Sequence, residues 1–110
     1  MGLRPSDVRK LALALPESTE EPHHEMTSFR VAGKIFATMP PEEDRVHIFI
    51  GEDEVAAYCA EYPGTIEELW WGKRLSGCRF VLSSANATRP LARELLTEAW
   101  RRKAPKQLLT

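Results

Sequence analysis

The stretch MTSFRVAGKIFATM, residues 26–39, decides the fold. Two runs of strand composition, Met26–Val31 and Lys34–Met39, are separated only by Ala32-Gly33, where a glycine permits the positive φ of a tight turn. The segment predicts an antiparallel hairpin, and the flanking chain fits around it. Downstream, Pro40 to Asp44 reads as a second turn. Arg45–Ile50 then alternates, with Val46, Ile48 and Ile50 on one face and Arg45, His47 and Phe49 on the other, the period of a half-buried strand. Upstream, Glu17 to Glu25 is rich in glutamate, carries Pro22, His23 and His24, and reads as an exposed loop.

Helical periods frame these strands. Ser6 or Asp7 can cap a helix over residues 6–15 in which Val8, Leu11, Ala12 and Leu15 share a face, with Pro16 as the stop. Residues 53–62 predict a second helix, with Glu52, Asp53 and Glu54 at its start, Val55, Tyr58, Cys59 and Tyr62 at helical spacing, and Pro63-Gly64 at its end. Thr65–Trp71 and Cys78–Ser83 read as two more strands around a Gly72 to Gly77 turn, with Phe80 and Leu82 inward. Asn86 or Thr88 caps a last helix over residues 89–102, with Pro90 in its first turn and Ala92, Leu95, Leu96, Ala99 and Trp100 as its apolar stripe. This order predicts an α+β fold: an antiparallel sheet of about five strands with helices packed on one face, as a single domain over residues 1–110. The other face is expected to be open and to carry Arg30, Lys34, Phe36, Arg45, His47, Phe49 and Arg79.

With 110 residues, 43% hydrophobic and 28% charged, the chain has globular rather than disordered composition. No apolar run approaches the roughly 20 residues that span a bilayer, and residues 1–10 lack the pattern of a signal peptide, so the expected location is cytoplasmic, without a membrane partner. Cys59 and Cys78 form no Cys-x-x-Cys pair and read as buried thiols. The cluster Glu17, Glu20, Glu21, His23, His24 and Glu25 offers imidazole and carboxylate without a helical His-x-x-x-His, so neither a metal nor a cofactor is expected. Gly-x-Ser-x-Gly, Ser-x-x-Lys and glycine-rich phosphate loops are all missing, which argues against an enzyme.

Charge is divided along the chain. Residues 1–69 hold six Lys/Arg against fourteen Asp/Glu, a balance of −8, and residues 70–110 hold nine against two, a balance of +7. Within the basic part, Trp70-Trp71-Gly72-Lys73-Arg74 joins two indoles to two cations, groups that stack on bases and neutralise phosphates. The nucleic-acid-binding residues expected on this basis are Arg30, Lys34, Arg45, Trp71, Lys73, Arg74 and Arg79. They would bind DNA weakly and without base selectivity. The alternative is a non-catalytic protein-interaction or small-ligand domain that uses the open sheet face.

Several pieces together resemble the MmcQ/YjbR family: Ala14-Leu15-Pro16-Glu17 after the first helix, Phe29 to Ala37 with its Gly33-Lys34-Ile35-Phe36 core, Tyr62-Pro63-Gly64, Trp71-Gly72-Lys73-Arg74, and Ala104-Pro105-Lys106. The resemblance covers nearly the whole length. It implies a frataxin-like (CyaY-like) fold with a double-wing arrangement and a DNA-binding role. Cys78-Arg79 departs from it, standing where an aromatic residue is expected after the last turn. So does the acidic first half.

Overall fold

A computed structural model describes residues 2–109; Met1 and Thr110, the ends of the expected domain, lie outside the described residues. Among the described residues the order is α1 (Pro5–Leu13), β1 (Ser18–His23), β2 (Met26–Val31), β3 (Lys34–Met39), β4 (Arg45–Ile48), α2 (Glu52–Glu61), β5 (Ile66–Trp71), β6 (Arg74–Val81) and α3 (Arg89–Lys103), with a short 3-10 turn at Lys106–Leu108. The strands form one antiparallel sheet in the order β1-β2-β3-β4-β6-β5. The fold is α+β, with six strands rather than five.

The β2–β3 hairpin closes as its sequence dictates. Val31 faces Lys34 across Ala32 and Gly33, which both take positive φ, 51° and 79°, as a two-residue turn matched to strand twist requires. Further along, Phe29 faces Ala37 and Arg30 faces Ile35, so Phe36 is an extra residue in β3. Such a bulge breaks the alternation of side chains. Phe36 therefore turns into the core beside Ala37, both fully buried, instead of standing on the open face with its period-two neighbours. The same shift places Lys34 opposite the core residue Val31, so it belongs to the helix side of the sheet, exposed at the hairpin end.

Residues 17–25 have loop composition, yet Ser18–His23 within them form a strand. Polar side chains suffice because β1 lies at the sheet edge with most of its residues exposed, where even Pro22 is tolerated. Ser28 Oγ donates to Glu21 O at 2.7 Å, and Arg30 Nη2 donates to Pro22 O at 3.3 Å, tying the edge to β2. The last turn is also shorter than its composition suggests: it comprises Gly72 and Lys73 alone, and β6 begins at Arg74.

All three helices cover one face. Val8 and Ala12 of α1, Val55 of α2, and Leu91, Ala92, Leu95, Leu96, Ala99 and Trp100 of α3 join Phe29, Val31, Val46, Ile48, Phe80 and Leu82 in one core. Each large side chain there contributes roughly 1.5–3 kcal/mol by leaving water. Asp7 is nearly buried and accepts from Arg4 N at 3.0 Å and from Arg89 at 2.8 Å, joining the starts of α1 and α3. Trp100 Nε1 donates to Pro16 O at 3.0 Å, so the two helices run side by side in the same direction. Contacts of Tyr58 with Glu94 and of Glu54 with Arg102 set α2 antiparallel to α3. Helix α1 starts one residue before Ser6, with Arg4 at its cap position and Asp7 reaching back to it, and ends at Leu13, ahead of the proline. Thr88 caps α3 by accepting from Leu91 N.

Candidate binding face

Register decides what stands on the uncovered face. Ala37, Ile48 and Cys78 are aligned neighbours in the core, so the adjacent row, Ser28, Thr38, His47, Arg79 and Glu67, points the other way. His47 is at the centre of that row and is 7% exposed, because strands and long side chains crowd it from both sides. Its Nδ1 lies 3.4 Å from Thr38 Oγ1, and its Nε2 is buried without a partner among the described residues. Burial pushes the imidazole below its ordinary range, and the charges of Arg45 and Arg79 push it further, so His47 is neutral at pH 7.

The two arginines reach acidic neighbours with their outer nitrogens. Arg45 Nη1 is 2.7 Å from Asp44 and its Nη2 is 3.9 Å from Glu42, while Arg79 Nη1 is 3.8 Å from Glu67. The Nε of each is buried and has no partner among the described residues. Arg30 is engaged with Ser28 Oγ at 2.9 Å and with β1. These three expected phosphate contacts thus share a face but are already partly committed. Lys34 is separated from them by the β3 bulge.

The remaining expected residues form a second group at the end of the sheet. Pairing of β4 with β6 stops at Ile48 and Cys78, whereas β5 and β6 stay paired out to Trp71 and Arg74. The segment Trp70–Leu75 therefore projects as a two-stranded arm with no third strand beside it. Both tryptophans are consequently exposed, Trp70 by 50% and Trp71 by 59%, where strand alternation alone favours burying one. Trp70 Nε1 donates to Glu68 at 3.1 Å. Trp71 meets Phe49 edge to face at 5.5 Å between ring centroids. Among the described residues neither Lys73 nor Arg74 has an ion pair.

Between this arm and β3 lies a cleft of about 730 Å³, walled by Ile35, Phe49, Trp71 and Arg74 and closed toward the helices by Arg102 and Lys103. Phe49 is where the alternation of residues 45–50 puts it. The contribution of Arg102 and Lys103 is not legible from the sequence, since it depends on where α3 ends relative to the sheet. Thr38 and Glu67, which frame His47 and Arg79, carry no motif; only the register reveals them. Five of the nine cations of residues 70–110 sit on α3, where Arg89 pairs with Asp7, Arg101 with Glu98 and Arg102 with Glu54. The cations of that segment are thus divided among the open face, the arm and α3, with Arg74, Arg102 and Lys103 meeting at the cleft.

Among the described residues, no three His, Cys, Asp or Glu side chains are grouped so as to hold a metal, and no helix is long and apolar enough to cross a membrane. Residues 13–102 match the family model described as YjbR. The structure is similar to the crystal structure of Deinococcus radiodurans protein DR2400, described as a DUF419 domain. The TM-score is 0.72 at 19% identity, with 86% of this chain and 74% of that chain covered. At that identity the likeness speaks for the fold. No curated protein matches.

Proposed function

This chain belongs to the YjbR family, and from that premise we propose that it is a non-catalytic binding domain whose Trp70–Arg74 arm takes single-stranded nucleic acid weakly and without base selectivity. The observation that carries this reading is the pairing of two half-exposed indoles with two cations that have no acidic partner among the described residues. Stacking of a base on an exposed aromatic ring is worth about 1–3 kcal/mol, and every base has a π-face, so the contact is tolerant of sequence. Lys73 and Arg74 supply phosphate neutralisation beside the rings. Arg30, Arg45 and Arg79 add to the surrounding field, reduced by the acidic groups they already touch.

The affinity is expected to be micromolar or weaker. Glu67 and Glu68 flank the arm on β5, and Glu20 and Glu21 line the far edge of the sheet, so a duplex approaching the whole face meets repulsion. A single strand can bind the arm alone. Two neutralised phosphates correspond to a salt slope of about −1.4 for single strands.

Fluorescence anisotropy with short single- and double-stranded DNA at low and moderate salt tests the proposal. Wild type should prefer the single strand. Lys73→Ala/Arg74→Ala should flatten the salt slope, and Trp71→Ala should weaken binding at every salt concentration. Unchanged binding in both variants would remove the site. A wild type that does not bind even at low salt would instead favour a small ligand in the cleft, whose volume of about 730 Å³ is that of ordinary ligand pockets.

A further inference from the structure

We propose that Arg45, His47 and Arg79 form a seat for a tetrahedral oxyanion, a phosphate or phosphoryl group, at the centre of the open sheet face. This site is separate from the tryptophan arm, and the inference does not depend on the nucleic-acid reading.

Three side-chain nitrogens on this face are buried without a partner among the described residues: Arg45 Nε, His47 Nε2 and Arg79 Nε. His47 and Arg79 face each other across β4 and β6, and Arg45 precedes His47 by two residues on the same face. The two Nε atoms are donors by constitution. Thr38 can donate its hydroxyl proton to His47 Nδ1, which leaves the neutral ring with its hydrogen on Nε2. All three groups are then donors lacking an acceptor, and water is excluded from them. Buried polar groups in folded proteins are otherwise paired almost without exception. A group with several acceptor oxygens and negative charge satisfies all three at once. Three donors carried by three side chains suit the three free oxygens of a phosphoryl group better than the two of a planar carboxylate.

The route to the site is short. The side chains of Arg45 and Arg79 are 30% and 42% exposed, so both guanidinium groups reach the surface and can swing to present their Nε edges. The charged groups around His47 are Arg45 on its own strand, Arg79 on β6, Glu67 beyond it on β5, Arg30 on β2, and Glu42 and Asp44 in the preceding loop; β3 supplies only Thr38. The acidic members hold the outer nitrogens of the arginines and leave the inner ones free. Arg45 and Arg79 both disfavour a charge on His47. An anion between them reverses that field, so binding and protonation of His47 reinforce each other.

The test is a titration of isotope-labelled protein with inorganic phosphate, glycerol 3-phosphate and sulfate, following the imidazole signals by NMR. The His47 signal should move saturably while His23 and His24 stay in place, and its pKa should rise in the bound state. Sulfate, which does not titrate in this range, should bind more tightly as pH falls through the His47 pKa. Arg45→Gln and Arg79→Gln should each weaken phosphate binding about tenfold or more, whereas Lys73→Ala/Arg74→Ala should leave it unchanged. Should Arg79→Gln not fold, Arg79→Lys, which keeps the charge and loses the Nε donor, serves in its place. Tighter binding of glycerol 3-phosphate than of phosphate identifies a phosphate ester as the ligand, and the reverse identifies the free ion. A His47 signal that is unmoved, or that moves only in step with His23 and His24, overturns the proposal, as does wild-type affinity in the arginine variants.

Discussion

Replacing Gly77 with alanine tests the architecture at its tightest point. Gly77 sits in β6 beside the bulge at Ser76, where the β5–β6 arm leaves the sheet. A Cβ built there would lie 3.0 Å from Phe49 Cα, 3.1 Å from Ile48 C and closer still to Ile48 O, all backbone atoms with no rotamer to escape through. Ordinary contact begins near 3.4 Å, so β4 would have to draw away from β6 where Ile48 pairs with Cys78. Overpacking of this kind costs about 1–3 kcal/mol. A weakened ladder bond adds about 1 kcal/mol, for a total of about 2–4 kcal/mol. At roughly 4 °C per kcal/mol for a domain of this size, the midpoint should fall by about 8–16 °C. Gly33→Ala is the control: its Cβ meets nothing within 4 Å, and it bears only the penalty of φ +79°, about 1–2 kcal/mol. Urea unfolding followed by circular dichroism measures both. If Gly77→Ala were no more destabilising than Gly33→Ala, close approach of β4 to β6 would not be the reason for glycine here. The variant should also move Phe49 relative to Trp71 and shift the tryptophan emission, a local readout independent of global stability.

Phe36→Ala should cost about 3–5 kcal/mol in the same urea assay, because the bulge places a fully buried ring in the core; a surface-like loss under 1 kcal/mol would contradict that placement. Asp7 is held below its ordinary value of 3.8 by the Arg4 backbone donor and by Arg89. Its contribution is therefore present above that pH and lost as pH falls through the lowered value. The acid limb of urea midpoint against pH should accordingly be flatter for Asp7→Asn than for wild type. Burial pushes the Cys78 thiol up to about 12 and raises that of Cys59 as well. A thiol reagent at pH 8 should therefore label native protein slowly and at Cys59 alone, with Cys78 reacting only on unfolding; rapid native labelling of Cys78 would refute its burial.

The residues that announce themselves in the sequence are those whose environment is set locally. Val46, Ile48 and Ile50 are buried as their alternation requires, and the apolar stripe of α3 packs where its period points. Ala32-Gly33 makes the turn its backbone freedom allows. Phe36 was hidden because a bulge is a property of two strands in register, and nothing in one strand's composition marks the extra residue. β1 was hidden for a related reason: an edge strand buries little, so hydrophobic alternation is not demanded of Ser18–His23. The candidate sites divide the same way. Trp71, Lys73 and Arg74 lie together in sequence and project together, because the arm extends past the end of β4. The convergence of Arg45, His47 and Arg79 is a product of β4–β6 pairing. Their partners Thr38 and Glu67 come from two further strands, and no linear pattern connects them.

The acidic first strand has a consequence for how the molecule behaves among its own copies. An unfinished sheet edge offers a row of backbone donors and acceptors to any passing strand, and pairing edge to edge is the usual beginning of aggregation. One of the two borders here is β1, which meets an incoming copy with the adjacent charges of Glu20 and Glu21 and with Pro22, a residue that has no N–H to share. Two such borders repel each other before they can zip together. Glu20 and Glu21 thus keep the first strand of one copy from continuing into the first strand of the next.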